Sequence, residues 1–414
     1  MASSLRRLFQ VLQIRPARSN RGALLLSPTR VIGLLAVALA VLPVILVRLI
    51  RPIVLIRFGG LPTQRIGAFA VSTETYLCER DAGMHTKRSI DIFYHHKQTC
   101  NEQLKTMWNR RLTVSWLALF LARANLLLPG GSAHKVPWRR QQERDVYGLL
   151  AETPIHVSFT DEEERAGQTA LKEMGVDGDT QFICFHARDS AYLASTFPGN
   201  NSGSQDYRNS NIKNYIPAAE KMASRGYMAF RMGALVEGQF DTGSPMVIDY
   251  ARDHRTEFLD VYMAAKCRFL ICSATGANAC AQLFRRPTAY VNFVSLEWAY
   301  TWVPNDLFIP KMVFSTREGR LLSFREVMES GIGRYTTGAE YQDRGLELVE
   351  NTPVEITDLA VEMEERLDGK WHATEEDQEL QRRFWSLYKQ SDLNQVFRLK
   401  IGTKFLAANK HLLD

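Results

Sequence analysis

An apolar run in the middle of the chain, QFICFHARDSAY from Gln181 to Tyr192, ends on His186, Arg188 and Asp189. A guanidinium offers a planar fork of donors that matches two oxygens of a phosphate or carboxylate at once. His186 and Asp189 are side chains of the kind that accept a proton from a hydroxyl. A second apolar run ends on Arg231, Met232 and Gly233, and the polar segment STFPGNNSGSQDYRNSN between the two carries Arg208. Downstream, SATGAN offers the hydroxyls of Ser273 and Thr275, while Gly276 permits close approach of a ligand to backbone N–H groups. Glu297 is a candidate acceptor for sugar or ribose hydroxyls. The aromatic residues Phe293, Trp298, Tyr300 and Trp302 beside it fit either a stacking platform or a core.

Each of these residues also has a purely structural role open to it. Arg188 can pair with Asp189 or a neighbouring acid, His186 can hold its loop, and SATGAN can cap a helix. Position in the fold decides between the roles. Strand Gln181–Phe185, helix Ile212–Ser224, strand Tyr227–Arg231, strand Met246–Ile248, helix Glu257–Lys266, strand Arg268–Cys272, helix Asn278–Phe284 and strand Thr288–Phe293 follow one another at the spacing of a doubly wound α/β sheet. Such sheets hold ligands at the carboxyl ends of their strands, where Arg188, Arg231 and Ser273 fall.

An earlier α/β unit opens with strand Ile53–Ile56, a tight turn at Gly59 and Gly60, and helix Ile66–Leu77. Gly59, Gly60 and Gly67 would permit close approach, with Arg65 facing a crevice. The segment lacks both GxGxxG and GK[ST], so neither NAD nor ATP is indicated. No DxD sequence marks a bridging metal, since Asp249 and Asp253 are separated by YAR. The neighbours His95 and His96, after a strand at Asp91–Tyr94, point in different directions and make a poor metal pair. No metal and no cofactor are expected. Asn101–Leu128 is helical in pattern and Arg123 breaks its apolar stretch, so it does not read as a second span. Thr160 and Glu163 form a capping box for a helix running to Met174. The tail, with Thr374 capping an acidic first turn, is largely helical.

The 414 residues carry a formal charge of +6. Arg6, Arg7, Arg15, Arg18, Arg21 and Arg30 precede the uncharged run Val31–Val47, and Arg48, Arg51 and Arg57 follow it. This reads as an uncleaved membrane anchor, marginal as a span of a hydrocarbon core roughly 30 Å thick. Arginines on both flanks leave a re-entrant helix open, with Pro43 allowing a bend. The basic residues cluster there and no RRM, KH or zinc-finger pattern occurs, so nucleic acid is not an expected partner. Six cysteines without a CxxC pair read as reduced thiols. The expected organisation is a basic tail over 1–30, an anchor over 31–50, Rossmann-like domains over 51–165 and 176–350, and a helical tail over 351–414.

In the motifs HARDSAY, DYRNSNIKNY, FRMG, DYA, FLDVYMAAKCRFLICSATG and RRPTAYVNF, taken in order, the chain resembles a family of bacterial glycosyltransferases with a GT-B-like fold of two Rossmann-like domains. RFGGLPTQRIGAFAVSTETYL resembles that family's opening loop and helix, with Ala68 standing near where the family has a histidine. His186 and Arg188 are more distantly similar to the donor-phosphate motif of GDP-fucose-dependent fucosyltransferases, although Asp189 and Ser190 replace its paired arginine and glycine. The likeness implies that Arg188 binds the donor diphosphate. Together with the residue chemistry above, the expectation is a metal-independent enzyme with Arg188, Asp189 and His186 as catalytic candidates and with Gly59, Gly60, Arg65, Arg208, Arg231, Gly233, Ser273, Thr275, Gly276 and Glu297 as donor-binding residues. The partners it implies are a nucleotide-sugar donor and a saccharide or lipid-linked acceptor in cell-envelope polysaccharide biosynthesis. The place implied is a bacterial inner membrane, with the catalytic domains facing the cytoplasm. A membrane-tethered protein that binds phosphosugar or polysaccharide without transferring it remains the alternative.

Overall fold

The computed structural model describes residues 28–196, 202–238 and 241–414. Residues 1–27 of the basic tail and residues 197–201 of the polar loop lie outside the described residues. The chain divides into two compact units, one running to Arg65 and adding Glu79–Gln142, the other made of Ile66–Cys78 and Glu143–Asp414.

In the first unit, helix α1 (Pro28–Leu49) precedes strand β1 (Leu55–Leu61), which pairs in parallel with β2 (Ser89–His95) from Leu55↔Ser89 to Leu61↔His95. Single-residue bridges extend the pair on both sides, Lys135 against Phe58 and Val114 against Phe93. Buried Arg57 donates to Asp91 at 2.6 Å, and Arg80 meets the same carboxylate. The charge is thus compensated where it is desolvated. Helix α2 (Glu102–Arg111) is started by the Asn101 side chain, which accepts from Leu104 N–H, and helix α3 (Leu117–Leu127) follows.

Gly59 and Gly60 correct the expectation of a tight turn, because both sit inside β1, opposite Phe93 and Tyr94. A Cβ on Gly59 would fall 2.7 Å from Val136, and one on Gly60 2.8 Å from His96 Nε2. Glycine is needed there because neighbouring side chains occupy the space beside the strand.

The second unit is built on a seven-stranded parallel sheet ordered β12-β8-β7-β6-β3-β4-β5. Its strands are β3 (Phe182–His186), β4 (Met228–Arg231), β5 (Val247–Ile248), β6 (Leu270–Cys272), β7 (Thr288–Phe293), β8 (Leu307–Pro310) and β12 (Lys400–Ile401). Residues of the central strands are buried in unbroken runs, such as Ile183, Cys184 and Phe185, or Leu270, Ile271 and Cys272. A parallel sheet covered on both faces has this pattern. Helices Ile216–Ser224 and Pro353–Leu367 pack together, as do Glu257–Lys266 and Asn278–Leu283. Thr160 with Glu163, Thr352 with Glu355 and Thr374 with Asp377 form reciprocal capping boxes, each satisfying N–H groups that a helix start leaves orphaned.

Strand β8 and two further features go beyond the sequence expectation. The tail contributes β12 as an edge strand paired with Leu307 and Phe308, and β9 (Met312–Ser315), β10 (Arg320–Leu321) and β11 (Leu346–Val349) form a small antiparallel sheet. Strands of two to four residues are too short to show a period.

Candidate functional site

Strand order locates the candidate site. From β3 the chain moves outward to β4 and β5, then returns to place β6 on the other side of β3 before continuing to β7 and β8. The winding therefore reverses between β3 and β6, and a doubly wound sheet opens a ligand crevice at such a point. His186, the last residue of β3, is the register partner of Cys272, the last of β6. The segments that follow, Arg188–Asp189 and Ser273–Gly276, leave from these two paired strand ends.

Arg188 is only 8% exposed, yet among the described residues no carboxylate lies within ion-pair distance of it. Neutral oxygens hold it instead: Nη1 donates to the Gln205 carbonyl at 3.0 Å and to Asn209 Oδ1. Burial, and next to it the charge of Arg208, lower its pKa to about 10, which leaves it cationic at neutral pH. Arg208 donates to Gln205 Oε1 at 3.4 Å and to the Ala274 carbonyl after β6. Lys311, buried at the end of β8, donates to the carbonyls of Asn209 at 2.6 Å and Tyr207 at 3.4 Å, while its nearest carboxylate, Glu350, is 3.9 Å away. Its pKa is lowered, mainly by burial, with Glu350 opposing and Arg188 adding to the effect. Three cations thus gather around the loop Gln205–Asn209; Asp206 in that loop and Asp189 act on Arg188 only from beyond ion-pair distance, and Glu350 reaches Lys311 only at 3.9 Å. Desolvated charge of one sign is costly unless an opposite charge arrives, so the arrangement favours an anion.

His186 donates Nδ1–H to the Met232 carbonyl at 2.9 Å, which leaves Nε2 as the acceptor of a neutral ring. Burial lowers its pKa, opposed by the Met232 carbonyl and Asp189, while Arg231 and Arg188 lower it further. Asp189 is engaged at both oxygens, Oδ1 accepting from Ala191 N–H at 3.1 Å and Oδ2 from Glu237 N–H at 2.8 Å. Gly233 faces Val236 so closely that a Cβ would fall 2.4 Å from it. Ser273 is 1% exposed and its Oγ has no hydrogen-bond partner among the described residues. Thr275 Oγ1 accepts from Ala277 N–H at 3.1 Å, and Thr275 N–H is bonded to Asn278 Oδ1 at 3.0 Å, so this side chain shapes the turn. Gly276 is held close to Ile66, 3.1 Å from a Cβ built there.

Other sequence candidates are occupied elsewhere. Buried Arg231 pairs with Asp249 at 3.0 Å and also donates to the carbonyls of Glu237 and Gly238, so its donors face the protein's own oxygens. Glu297 is bound by Arg334 at 2.7 Å. Phe293 and Trp302 are buried, and Trp298, Tyr300 and Trp302 surround the Arg144 guanidinium, 4.9 Å from the Trp302 centroid. That cation also donates to the carbonyls of Trp298, Ala299 and Leu393. The aromatic cluster therefore encloses an internal arginine and fastens the C-terminal segment. Gly59, Gly60 and exposed Arg65 belong to the first unit. Sequence reasoning missed Gln205, Asn209 and Lys311. The first two lay inside the quoted polar loop, and Lys311 interrupts the apolar run LFIPKMVF, which was the available signal.

A possible metal-binding set, Glu74, Cys78 and His156, has donor atoms within 4.8 Å of one another. Arg285 donates to Glu74 at 2.6 Å and His156 lies 3.2 Å from the other carboxylate oxygen. A guanidinium already supplies the positive charge that a metal would bring, so the donor set does not fit one well.

Fold and site together define a doubly wound α/β protein with a cluster of cations at its switch point. No family model matches the chain, and no curated protein matches it. Among solved structures, it is similar to a glycosyl transferase of family 9 from Veillonella parvula, at 10% identity and a TM-score of 0.43, over 76% of this chain and 97% of that one. It is also similar to the E. coli ADP-heptose LPS heptosyltransferase II, at 12% identity and a TM-score of 0.30, over 57% and 85%. A chain from Listeria monocytogenes assigned as a UDP-N-acetylglucosamine 2-epimerase follows at 11% identity and a TM-score of 0.24, over 57% and 79%. At these TM-scores the likeness carries no argument about activity, which rests on the residues themselves.

Proposed function

We propose that this chain is a membrane-associated glycosyltransferase that moves a sugar from a nucleotide-sugar donor to a surface-saccharide or lipid-linked acceptor. The observation that carries the reading is the gathering of Arg188, Arg208 and Lys311 at the β3/β6 switch point, where neutral oxygens rather than a close carboxylate hold the two arginines. Departure of a nucleoside diphosphate places negative charge on its phosphate oxygens as the glycosidic bond breaks. Fixed cations in a desolvated site stabilise that charge without reorganising, which is the electrostatic part of the catalysis. In this reading Arg188 and Arg208 bind the diphosphate, Lys311 holds their loop and adds its charge, and the Ser273 hydroxyl supplies a hydrogen bond to the donor. His186, with Nε2 free to accept, is the candidate base for the acceptor hydroxyl. Asp189 and Arg231 keep the surrounding loops in place. The cationic cluster performs the charge neutralisation that a bridging metal performs elsewhere, so transfer is expected without added metal.

Thermal stabilisation across UDP, GDP, CDP, ADP and CMP sugars identifies the donor, because a ligand that binds the folded state raises the melting temperature. Donor consumption, measured with and without chelator, then separates transfer from binding. A donor that stabilises the protein but is not consumed with any saccharide or lipid-linked acceptor would establish the binding-protein alternative.

A further inference from the structure

Helix α1 contains a 19-residue apolar segment, Val31–Leu49, with a mean hydropathy of 2.7 and only 17% of it buried. One stripe, formed by Leu34, Val37, Val41 and Val44 with Ala40 beside it, packs against Phe120, Leu121, Ala124 and Leu128 at helix α3. Arg48 closes the contact. Its guanidinium donates to the Asn125 side chain at 2.7 Å, to the Asn125 carbonyl at 2.9 Å and to the Pro129 carbonyl at 2.6 Å. A cation at a helix C-terminus satisfies carbonyls that the helix leaves orphaned. A Cβ on Gly131 would lie 3.2 Å from Arg48, in the same clasp.

The clasp limits how α1 can meet a bilayer. Helix α3 has 11 residues, about 16 Å of rise and roughly half of a hydrocarbon core. Its Asn125 end is level with Arg48, while Phe120 and Leu121 meet the earlier part of α1. Trp116 and Val114 lie further in the same direction, and Val114 bridges to Phe93 of β2 while Ser115 N–H donates to the Phe93 carbonyl at 2.9 Å. An upright α1 with Arg48 at head-group level would therefore draw the irregular segment 113–115, which bridges β2 at Phe93, well into hydrocarbon. Irregular backbone exposed to lipid does not occur in that environment.

The uncovered faces fit a shallow position instead. Leu35, Leu39, Leu42, Leu46 and Leu49 are exposed along α1, and Trp116 (72%), Leu117, Leu126 and Leu127 are exposed around α3. The side chains of Arg51 and Arg123 beside them make no hydrogen bond or ion pair among the described residues. Apolar surface rimmed by uncompensated cations and an exposed tryptophan matches the boundary between acyl chains and anionic head groups.

Resting on the membrane reading given above, we infer that α1 and α3 form one monotopic platform: they lie in a single leaflet of an anionic bilayer, and both ends of α1 leave by the same face. A span is the competing topology. Full-length Thr29→Cys and Ile53→Cys reporters, each in a Cys100→Ser background whose other cysteines are buried, are placed in sealed phosphatidylglycerol–phosphatidylcholine vesicles. A membrane-impermeant maleimide is expected to label both positions from the same side before detergent. Labelling from opposite sides overturns the inference and leaves membrane association intact, whereas failure of the chain to float with vesicles overturns the membrane reading itself. A fluorophore on Trp116→Cys is expected to be quenched severalfold by lipids brominated in their acyl chains. An unquenched probe on a vesicle-bound chain places α3 in water and also overturns the platform.

Discussion

Arg188 and Arg208 share one residue, Gln205, which accepts from the first through its backbone carbonyl at 3.0 Å and from the second through its side-chain Oε1 at 3.4 Å. Two like charges are thus held side by side by a neutral amide; burial first, and the repulsion from Arg208 after it, lower the pKa of Arg188. A diphosphate that binds both removes the repulsion. Arg188→Ala is expected to lower turnover by about 10²–10³-fold, the effect of losing one oriented donor to developing negative charge. Its folding is expected to lose no more than about 1–3 kcal/mol, because the acceptors it vacates are neutral rather than charged. Steady-state kinetics beside a melting curve checks both halves. Equal turnover in the variant would remove Arg188 from the mechanism.

His186 gives a pH dependence whose sign can be worked out. Its pKa is lowered in the folded protein, chiefly by burial, so below the ordinary histidine value near 6.5 the unfolded chain binds the proton more readily. Its stabilising contribution is complete above about pH 6.5 and is lost as pH falls toward the folded value. Between pH 7 and 8 donor affinity should show no inflection from this ring. His186→Gln is expected to flatten the acid limb of a stability–pH curve and, if Nε2 is the base, to reduce turnover while sparing donor affinity. Chemical unfolding and binding isotherms at matched pH measure these separately.

The succession of strands and helices from β3 to β7 was legible in the sequence because apolar runs such as Phe182–Phe185 and Leu270–Cys272 each end on polar residues, whereas the order of the strands in the sheet was not. Which end residues meet a ligand was less legible. Arg188 and Arg231 have the same sequence context, a cation at the end of a buried run, yet Asp249 neutralises only the second. That acid arrives from 18 positions away and no local pattern announces it. Lys311 was hidden for the same reason, since its role depends on a loop contributed a hundred residues earlier.

Gly59 separates packing from ligand approach. A methyl there would fall 2.7 Å from Val136, so Gly59→Ala is expected to destabilise the first unit by roughly 1–3 kcal/mol through overpacking. Donor affinity, measured well below the melting temperature, is expected to stay within a factor of two. A loss of affinity with an unchanged melting curve would restore the ligand-contact reading of this glycine.

Asp306 is a buried acid with a pKa pushed up to about 8 by desolvation, opposed by hydrogen bonds from Thr288 N–H and Tyr290. Its folded pKa exceeds the unfolded value, so the folded state holds the proton more tightly and stability falls as pH rises between the two. The slope from this one group is at most about 1.4 kcal/mol per pH unit. Asp306→Asn keeps an acceptor for Thr288 N–H, bonded at 2.8 Å, and removes the ionisation. It is expected to raise the melting temperature at pH 8 more than at pH 5. The reverse ordering would show that the acid is ionised and compensated in the folded protein.

Ser273 tests whether the switch point is built for a ligand at some expense of stability. Its buried Oγ lacks a partner among the described residues, and an unsatisfied hydroxyl costs about 1–3 kcal/mol in desolvation. Removing a polar atom that makes no bond is neutral or stabilising, so Ser273→Ala is expected to melt at the same temperature as the parent or a few degrees higher without ligand. If the hydroxyl is held for a donor oxygen, the same variant binds the nucleotide sugar more weakly, by about 5–30-fold for 1–2 kcal/mol. Opposite signs for stability and affinity are the informative outcome, since a residue with a purely structural role lowers both. Melting curves with and without the donor measure the two on one sample. A parallel loss of stability and affinity would return Ser273 to the core.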